Sequence, residues 1–539
     1  MSHNYNKYPP AGIDLGTSNS VLAVFEKRVS YTGARPVNIS DNSPAGPLLP
    51  SAVLLEDDSL LVGTIAVNNR ITQSDLFTSA FKRKIGEDKA NIKLGNKKFS
   101  PVDLGKEVIK KLLQEAISQE LDFKPQGIVV AAPYNFNHIQ KKNTEKVLEQ
   151  AIAEIFSKYE PKNRPLLLGL IPEPVAAAIN FAFNNKNNRF NDHNILIYDF
   201  GGGTLDITIC KINVTPHKLN FEVLATDGCE RFGGDDVDEL LEGWLYDNFT
   251  EELKSDGLKD KLKLRLKQQV KNIVKSVKEN LSSNEKSTFV EVLMNSNTLE
   301  GEITRKEFER ILRGDNKKNR DFGNEFRTIL DRIFNKARIA PDSIQTVLMV
   351  GGSSQIPYFK NLLKLKCSNA NFITNKETIE TGVAQGAAIY AAYLLDEKHN
   401  NHHNPFDEKL AFGSLVFRTP NTLGVKREGD LFEPIIPANS VVPASATKTF
   451  YFRGYKNNNK DLVATKIINV YQGESKLISK NTKVGEIDLP PVYVHNRELK
   501  DIPVNIRFNA DENFVNIKIL IPESDIMGND IKIEEKLKL

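Results

Sequence analysis

Two short stretches of this chain carry side chains that can handle a phosphate and a hard cation together. In the first, Asp14 is followed by Gly16, Thr17, Ser18 and Asn19, then by the apolar run Val21 to Val24. In the second, the run Ile195 to Tyr198 ends in Asp199, and Gly201, Gly202, Gly203, Thr204 and Asp206 precede the apolar Ile207 to Ile209. Glycine tolerates positive φ and lets backbone N–H groups approach an anion closely. A carboxylate at a strand end repels phosphate, so its presence makes sense when a cation such as Mg2+ sits between the two. A glycine-rich hairpin with acidic turn residues would explain one such stretch. Two with the same polar order point to a duplicated fold that faces one phosphate chain from both sides. Neither is a P-loop, because no Gly-Lys-Ser/Thr follows, and neither is a GxGxxG turn opening a helix.

The elements that must position these turns can be read from the surrounding pattern. From Tyr8 to about Leu395, strand-like apolar runs alternate with helical spacing, which indicates α/β architecture. Ser51 to Leu61 reads as strands and turns, and Thr78 to Gly86 as a basic loop after a helix-like segment. Leu104 to Leu121 has helical spacing, Gly127 to Pro133 reads as a buried strand, and Leu166 to Ile171 is an apolar run before the small-residue helix Val175 to Ile179. Leu266, Val270, Ile273, Val274, Val277 and Leu281 share one helix face with lysines opposite. The strand Val347 to Val350 ends in Gly351, Gly352 and Ser353, and Gly382 to Ala392 is a last small-residue helix. Asp396 to Glu408 is polar, with His399, His402 and His403 close together; a solvated linker explains them better than a metal site. After it come short alternating strands such as Lys448 to Phe452, Lys466 to Tyr471 and Asn505 to Phe508, an all-β module.

At 539 residues the chain has room for two domains. Lys+Arg 72 against Asp+Glu 69 leaves +3, which gives no reason to expect nucleic acid or an anionic membrane as partner. The three cysteines, Cys210, Cys229 and Cys367, are far apart and form no CxxC, so neither a disulfide framework nor a zinc site is expected. The N-terminus has no apolar leader and no run approaches membrane-spanning length. A cytoplasmic monomer is expected.

The segments IDLGTSNSVLAV, FKRKIG, VVAAP, IPEPVAAAI, YDFGGGTLDITI, ERFGGDDVD, EITRKEFER, VLMVGGSSQIP and GVAQGAAIYAA occur in an order that resembles the DnaK-type (70-kDa) heat-shock chaperone family, within the actin/sugar-kinase ATPase superfamily. The β-module matches more loosely, at Ile435 to Asn439, Asn469 to Glu474 and Gly485 to Pro490. The resemblance implies an actin-like bilobed ATPase domain, made of duplicated ribonuclease-H-like halves, over residues 1–395. A linker over 396–415 and a β-sandwich substrate-binding domain over 416–539 would follow. It implies ATP/ADP with Mg2+ as cofactors. Gly16, Thr17, Ser18 and Asn19 would line one side of the phosphates, and Gly201, Gly202, Gly203 and Thr204 the other. Asp14 and Asp199 would hold Mg2+ through water. Lys82 would stand beside the γ-phosphate and attacking water, with Glu173, Asp206, Thr204 and Asp199 completing the catalytic set. Gly234, Lys278, Ser282, Gly351, Gly352, Ser353 and Gln355 would hold the adenosine.

The sequence departs from the family pattern at several points. Gln355 stands where the family has arginine beside the adenine, Lys275 and Glu279 invert the usual acid and base, and Glu380 replaces aspartate. Pro133 matches the relay proline, but Lys141 replaces its arginine partner. Leu423, Gly424 and Val425 fit a peptide pocket or an ordinary core strand equally well. Against the family pattern, a short form without the helical lid is expected, Ile531 to Leu539 being too short for one. The expected function is an ATP-hydrolysing chaperone that binds and releases unfolded or extended peptide, served by a J-domain co-chaperone and a nucleotide-exchange factor. The runner-up is a specialised regulator or scaffold that binds nucleotide and one dedicated partner. A metabolite kinase and an actin-like filament protein fit less well, since neither explains the β-module.

Overall fold

The computed structural model describes residues 8–28, 31–42, 46–87, 90–119, 123–185, 190–214, 218–316, 318–398, 411–419, 421–427, 429–452, 455–456, 462–463, 467–492, 502–511, 514–522, 524, 527 and 529–538. The chain divides into two compact units: residues 1–134, 142–221 and 225–414 form the first, and 135–141, 222–224 and 415–539 the second.

The first unit contains the same sheet twice. In one copy β1 (Ala11–Asp14), β2 (Asn19–Arg28) and β3 (Tyr31–Pro36) run antiparallel, while β4 (Gly127–Ala132) and β5 (Leu166–Pro172) add in parallel on the far side of β1. In the other, β6 (Phe190–Phe200), β7 (Leu205–Val214) and β8 (Lys218–Cys229) follow one another, and β9 (Thr346–Val350) and β10 (Asn371–Ile373) add in parallel beside β6. The strand orders β5-β4-β1-β2-β3 and β10-β9-β6-β7-β8 therefore correspond one to one. All of β4 and all of β9 are buried, as continuous apolar runs with parallel neighbours require. Asp14 and Asp199 sit at the equivalent place, the carboxyl end of the first strand in each copy.

Two helices of small residues hold this arrangement together. Helix α1 (Glu173–Asn184) is buried almost throughout, and a long helix near the end of the unit, Lys376–Lys398, packs against it and against β1, β2 and β4. The approach is closer than a side chain allows. A Cβ on Gly12 would lie 2.1 Å from the backbone N of Ala388, and one on Gly386 would lie 1.8 Å from the carbonyl oxygen of Ala176. Gly386→Ala must push these backbones apart, so a loss of about 3 kcal/mol is expected in denaturant unfolding, with nucleotide-dependent stabilisation falling in step.

Among the other expectations for this unit, the lysine-faced helix is found and the basic loop is not. The helix with the lysine face spans Asp260–Ser283 and buries Leu266, Val270, Ile273, Val274, Val277 and Leu281. Thr78 to Gly86 is instead the end of strand Phe77–Ser79 followed by a 3-10 turn, Phe81–Lys84, entered through Ala80 at φ 55°. Four residues of 3-10 turn carry no readable period, and three of them are basic, which masks the burial of Lys82. His399, His402 and His403 lie outside the described residues. Of the expected linker, Asp396 to Lys398 continue the last helix, and Ala411–Val416 forms a strand, β11, at the β8 edge of the second sheet.

The second unit is a sandwich of two antiparallel four-stranded sheets. One has the order β13 (Leu431–Ile436), β12 (Leu423–Arg427), β15 (Ile467–Gln472), β16 (Thr482–Asp488). The other runs β14 (Ala444–Phe452), β17 (Ile502–Ala510), β18 (Phe514–Ile521), β19 (Ile531–Lys538). In β17 alternate residues Ile502, Val504, Ile506, Phe508 and Ala510 are buried, the period of a half-buried strand. Leu423 and Val425 belong to this core, each 2% exposed. Among the described residues no helix is long and apolar enough to cross a membrane.

Candidate active site

The turn after β1 is tight. A Cβ on Gly16 would lie 2.0 Å from the carbonyl oxygen of Asn19, and Ser51 braces the turn by donating its hydroxyl to the Gly16 carbonyl at 2.8 Å and its N–H to the Ser18 carbonyl at 2.8 Å. The turn after β6 closes with the Gly201 N–H donating to the Thr204 carbonyl at 3.1 Å. The two turns meet: a Cβ on Gly202 would lie 2.1 Å from Ser18 Oγ, and one on Gly203 2.8 Å from Thr17 Oγ1. The turn containing Gly16, Thr17 and Ser18 therefore lies against the turn Gly201–Thr204.

Beneath the turns lies an acidic cluster with one ammonium. The Lys82 Nζ donates to Glu173 Oε1 at 2.9 Å; Lys82 is 7% exposed and Glu173 8%. The 3-10 turn delivers the lysine, and Glu173 is the first residue of α1 immediately after β5. Burial alone would lower the Lys82 ammonium, but Glu173, Asp14 and Asp199 outweigh it and hold it above the usual lysine range. Burial, then the Glu173 carboxylate, push Asp14 up to about 7 against the pull of Lys82. Burial and Glu173 likewise push Asp206 up to about 7, although the Thr204 hydroxyl and Lys82 draw it down. Asp199 is raised well above the carboxylate range by burial and by Glu173, Asp206 and Asp14. Asp206 Oδ2 is buried and makes no hydrogen bond. Four crowded carboxylates facing one ammonium, with an orphaned acceptor among them, fit a divalent cation. Among the described residues no three such groups converge as direct ligands, so water would complete the shell, which suits Mg2+.

The third group of residues forms on the second copy of the sheet. Helix α2 (Gly234–Asn248) starts against the glycine turn: the Gly234 N–H donates to the Gly201 carbonyl at 3.0 Å, and the Asp235 N–H to the Gly202 carbonyl at 2.8 Å. Lys278 Nζ donates to the Gly234 carbonyl at 3.0 Å and pairs with Asp238 at 2.8 Å. A Cβ on Gly234 would lie 2.3 Å from Ser353 Oγ, which joins the Gly351–Gly352–Ser353 turn to the same place. The Ser282 hydroxyl is turned to its own helix, donating to the Lys278 carbonyl at 3.0 Å, and the Gln355 amide donates to Ser354 Oγ at 3.3 Å. Lys275 and Glu279 are exposed and 4.0 Å apart.

Three features escaped the sequence reading. Arg83 reaches the second half of the unit, donating to Asp236 Oδ2 at 2.7 Å and to the Gly203 carbonyl at 2.8 Å. Asp238 holds Lys278. An aromatic cluster underlies the three turns of this half: Phe200 precedes Gly201, Phe232 precedes Gly233, and Phe359 lies in the helix Pro357–Lys366 that follows the third turn. Their rings lie 5.3–5.6 Å apart with Phe326 beside them, all 0% exposed. Phe200 and Phe232 flank glycine turns in the sequence, but Phe326 and Phe359 lie within helices, and the convergence of the four comes from tertiary packing.

This fold and site define an actin-like, Mg2+-dependent ATPase joined to a β-sandwich. A family model described as Hsp70 protein matches residues 10–519, and the chain belongs to that family. It is similar to the chaperone protein DnaK of Thermosipho melanesiensis, 29% identical over 508 residues that cover 93% of this chain and 76% of that protein. The DnaK of Mycoplasmopsis agalactiae is 28% identical over 507 residues, covering 93% and 75%. That of Deinococcus proteolyticus is 29% identical over 535 residues, with the same coverage. The protein is an ATP-dependent molecular chaperone that hydrolyses ATP, with ATP/ADP and Mg2+ as its cofactors. The dedicated-regulator alternative is not favoured by these matches.

Proposed function

We propose that the duplicated turns and the acidic cluster are the ATPase centre, and that its nucleotide state sets how the β-sandwich holds unfolded or extended peptide. The observation that carries this is the buried Lys82–Glu173 pair among Asp14, Asp199 and Asp206, the first two of which lie at the ends of the strands that lead into the glycine turns. Asp14 and Asp199 would hold the hydrated Mg2+, which supplies charge neutralisation at the phosphates. The Lys82 ammonium offsets charge that builds as the terminal phosphoryl group is transferred. Glu173 and Asp206 orient water and accept its protons in hydrogen bonds, and Thr204 helps fix Asp206. Gly16 to Asn19 and Gly201 to Thr204 present backbone and hydroxyl groups to the phosphates. Gly234, Lys278, Ser282, Gly351, Gly352, Ser353 and Gln355 surround the nucleoside, with Lys278 acting chiefly by fixing the start of α2.

Domain limits of 1–395, 396–415 and 416–539 are part of the same reading. Its partners are unfolded peptide, a J-domain co-chaperone and a nucleotide-exchange factor, and it works as a cytoplasmic monomer. A fluorescent unfolded peptide bound to the intact protein tests the coupling. Addition of ATP should weaken peptide binding and so speed release, because a nucleotide that favours the low-affinity state lowers affinity at the other site by its coupling free energy. Release unchanged by ATP would leave an ATPase without this function.

Gln355 gives a second expectation. It lacks the planar cation that stacks on a base, and Gln355→Arg is expected to tighten ADP binding roughly 2- to 30-fold, measured by calorimetry. An unchanged affinity would mean that Gln355 does not face the base.

A further inference from the structure

The glycine turn Gly201–Thr204 is held by its carbonyls. The Gly201 carbonyl accepts from the Gly234 N–H, the Gly202 carbonyl from the Asp235 N–H, and the Gly203 carbonyl from Arg83 Nη2 at 2.8 Å. In a trans peptide the C=O of one residue points opposite to the N–H of the next. Anchoring these three carbonyls on one side turns the N–H groups of Gly202, Gly203 and Thr204 to the other, as an anion-binding concavity requires. The first two anchors come from the backbone of α2. The third is a side chain from the other half of the unit, and it is the residue next to Lys82.

Arg83 is built into this place. Its Nη2 also donates to Asp236 Oδ2 at 2.7 Å and lies 3.4 Å from the Gly202 carbonyl; its Nε is 3.8 Å from Asp235 Oδ2, buried and without a hydrogen-bond partner. Asp236 in turn accepts from the Gly233 N–H at 2.7 Å, which caps α2. One guanidinium thus links the Lys82 turn, the glycine turn and the start of α2. The bonds to the Gly203 carbonyl and to Asp236 both leave one nitrogen, Nη2. Its two N–H groups are fixed in the guanidinium plane, whereas the donors of a lysine ammonium rotate freely.

We propose that Arg83 is a positioning residue for ATP hydrolysis. By fixing the Gly203 carbonyl it orients the Thr204 N–H, and it sets the register of Lys82 against that turn. The inference rests on the ATPase reading given above. It also predicts a property of the nucleotide-free protein, so the two can fail separately.

The test compares wild type, Arg83→Lys and Arg83→Ala. In the nucleotide-free protein, amide hydrogen exchange at Gly202 to Thr204 should speed up in both variants, while α1 stays protected. Single-turnover ATP hydrolysis should fall about 10- to 100-fold, as expected when a reacting geometry is loosened, while ADP affinity stays within about threefold because the α2 anchors remain. Millimolar guanidinium should restore part of the rate in Arg83→Ala, and sodium should not. Arg83→Lys keeps the charge and guards against a folding defect in Arg83→Ala. Unchanged exchange at the turn, or hydrolysis within about twofold of wild type, would overturn the proposal. So would a rate loss matched by a drop in melting temperature and insensitive to guanidinium, which marks a merely structural arginine. If wild type itself does not hydrolyse ATP, the ATPase reading fails, and the exchange measurement alone decides the role of Arg83.

Discussion

Replacing Lys82 by alanine is expected to lower single-turnover ATP hydrolysis by at least about 100-fold while nucleotide still binds, since one preorganised charge at a developing negative centre contributes on that scale. The lysine is 7% exposed and donates to Glu173 at 2.9 Å, with Asp14 and Asp199 also acting on its charge. Its ammonium therefore has one position and a fixed protonation state, which is what electrostatic catalysis needs. Removing it also leaves Glu173 buried without its partner, so the variant should lose stability in the nucleotide-free state. ADP affinity measured beside the rate separates the two effects. A rate within a few-fold of wild type would remove Lys82 from the chemistry.

The carboxylates give the second large effect, and its direction is unusual for acidic residues. Asp14 and Asp206 titrate near 7 in the folded protein, against an ordinary value of 3.8. Between those values the native state holds protons that the unfolded chain has released. Their contribution to stability is therefore complete below 3.8 and is lost as pH rises through about 7. The nucleotide-free protein should be less stable at pH 8 than at pH 6. Asp206→Asn removes one of these charges, so it should raise the melting temperature at pH 8 and flatten the slope while it impairs hydrolysis. Bound Mg2+ with ADP should also flatten the slope, because a cation favours the ionised carboxylates. Thermal unfolding at both pH values, with and without Mg2+ and ADP, reads all three. A melting temperature that rises with pH, or a variant weaker than wild type at pH 8, would mean that these carboxylates are not in conflict.

The two turns were legible in the sequence because each combines a strand end, a carboxylate and glycines within a few residues. Correspondence of the two sheets was legible only in outline: the repeated motif announced it, but the parallel strands β4, β5, β9 and β10 lie far along the chain from the strands they join. Lys82 came from a family resemblance and not from any local signal, since a lysine in a short basic turn looks solvated until the fold buries it. Arg83 and Asp238 were missed for a related reason. Each acts on a backbone group or charge more than 30 residues away in sequence, and no local pattern reports such a pairing. Leu423 and Val425 could not be placed because a strand's alternation says that one face is buried without saying what covers it. The β-sandwich itself was plain from that same alternation, most clearly in Ile502 to Ala510.

The central claim is that the Lys82 centre hydrolyses ATP and answers to peptide. Single-turnover hydrolysis by the intact protein, with and without an unfolded peptide, tests it most directly. Slow hydrolysis that peptide accelerates is the predicted result. Bound ATP that is never hydrolysed would contradict it.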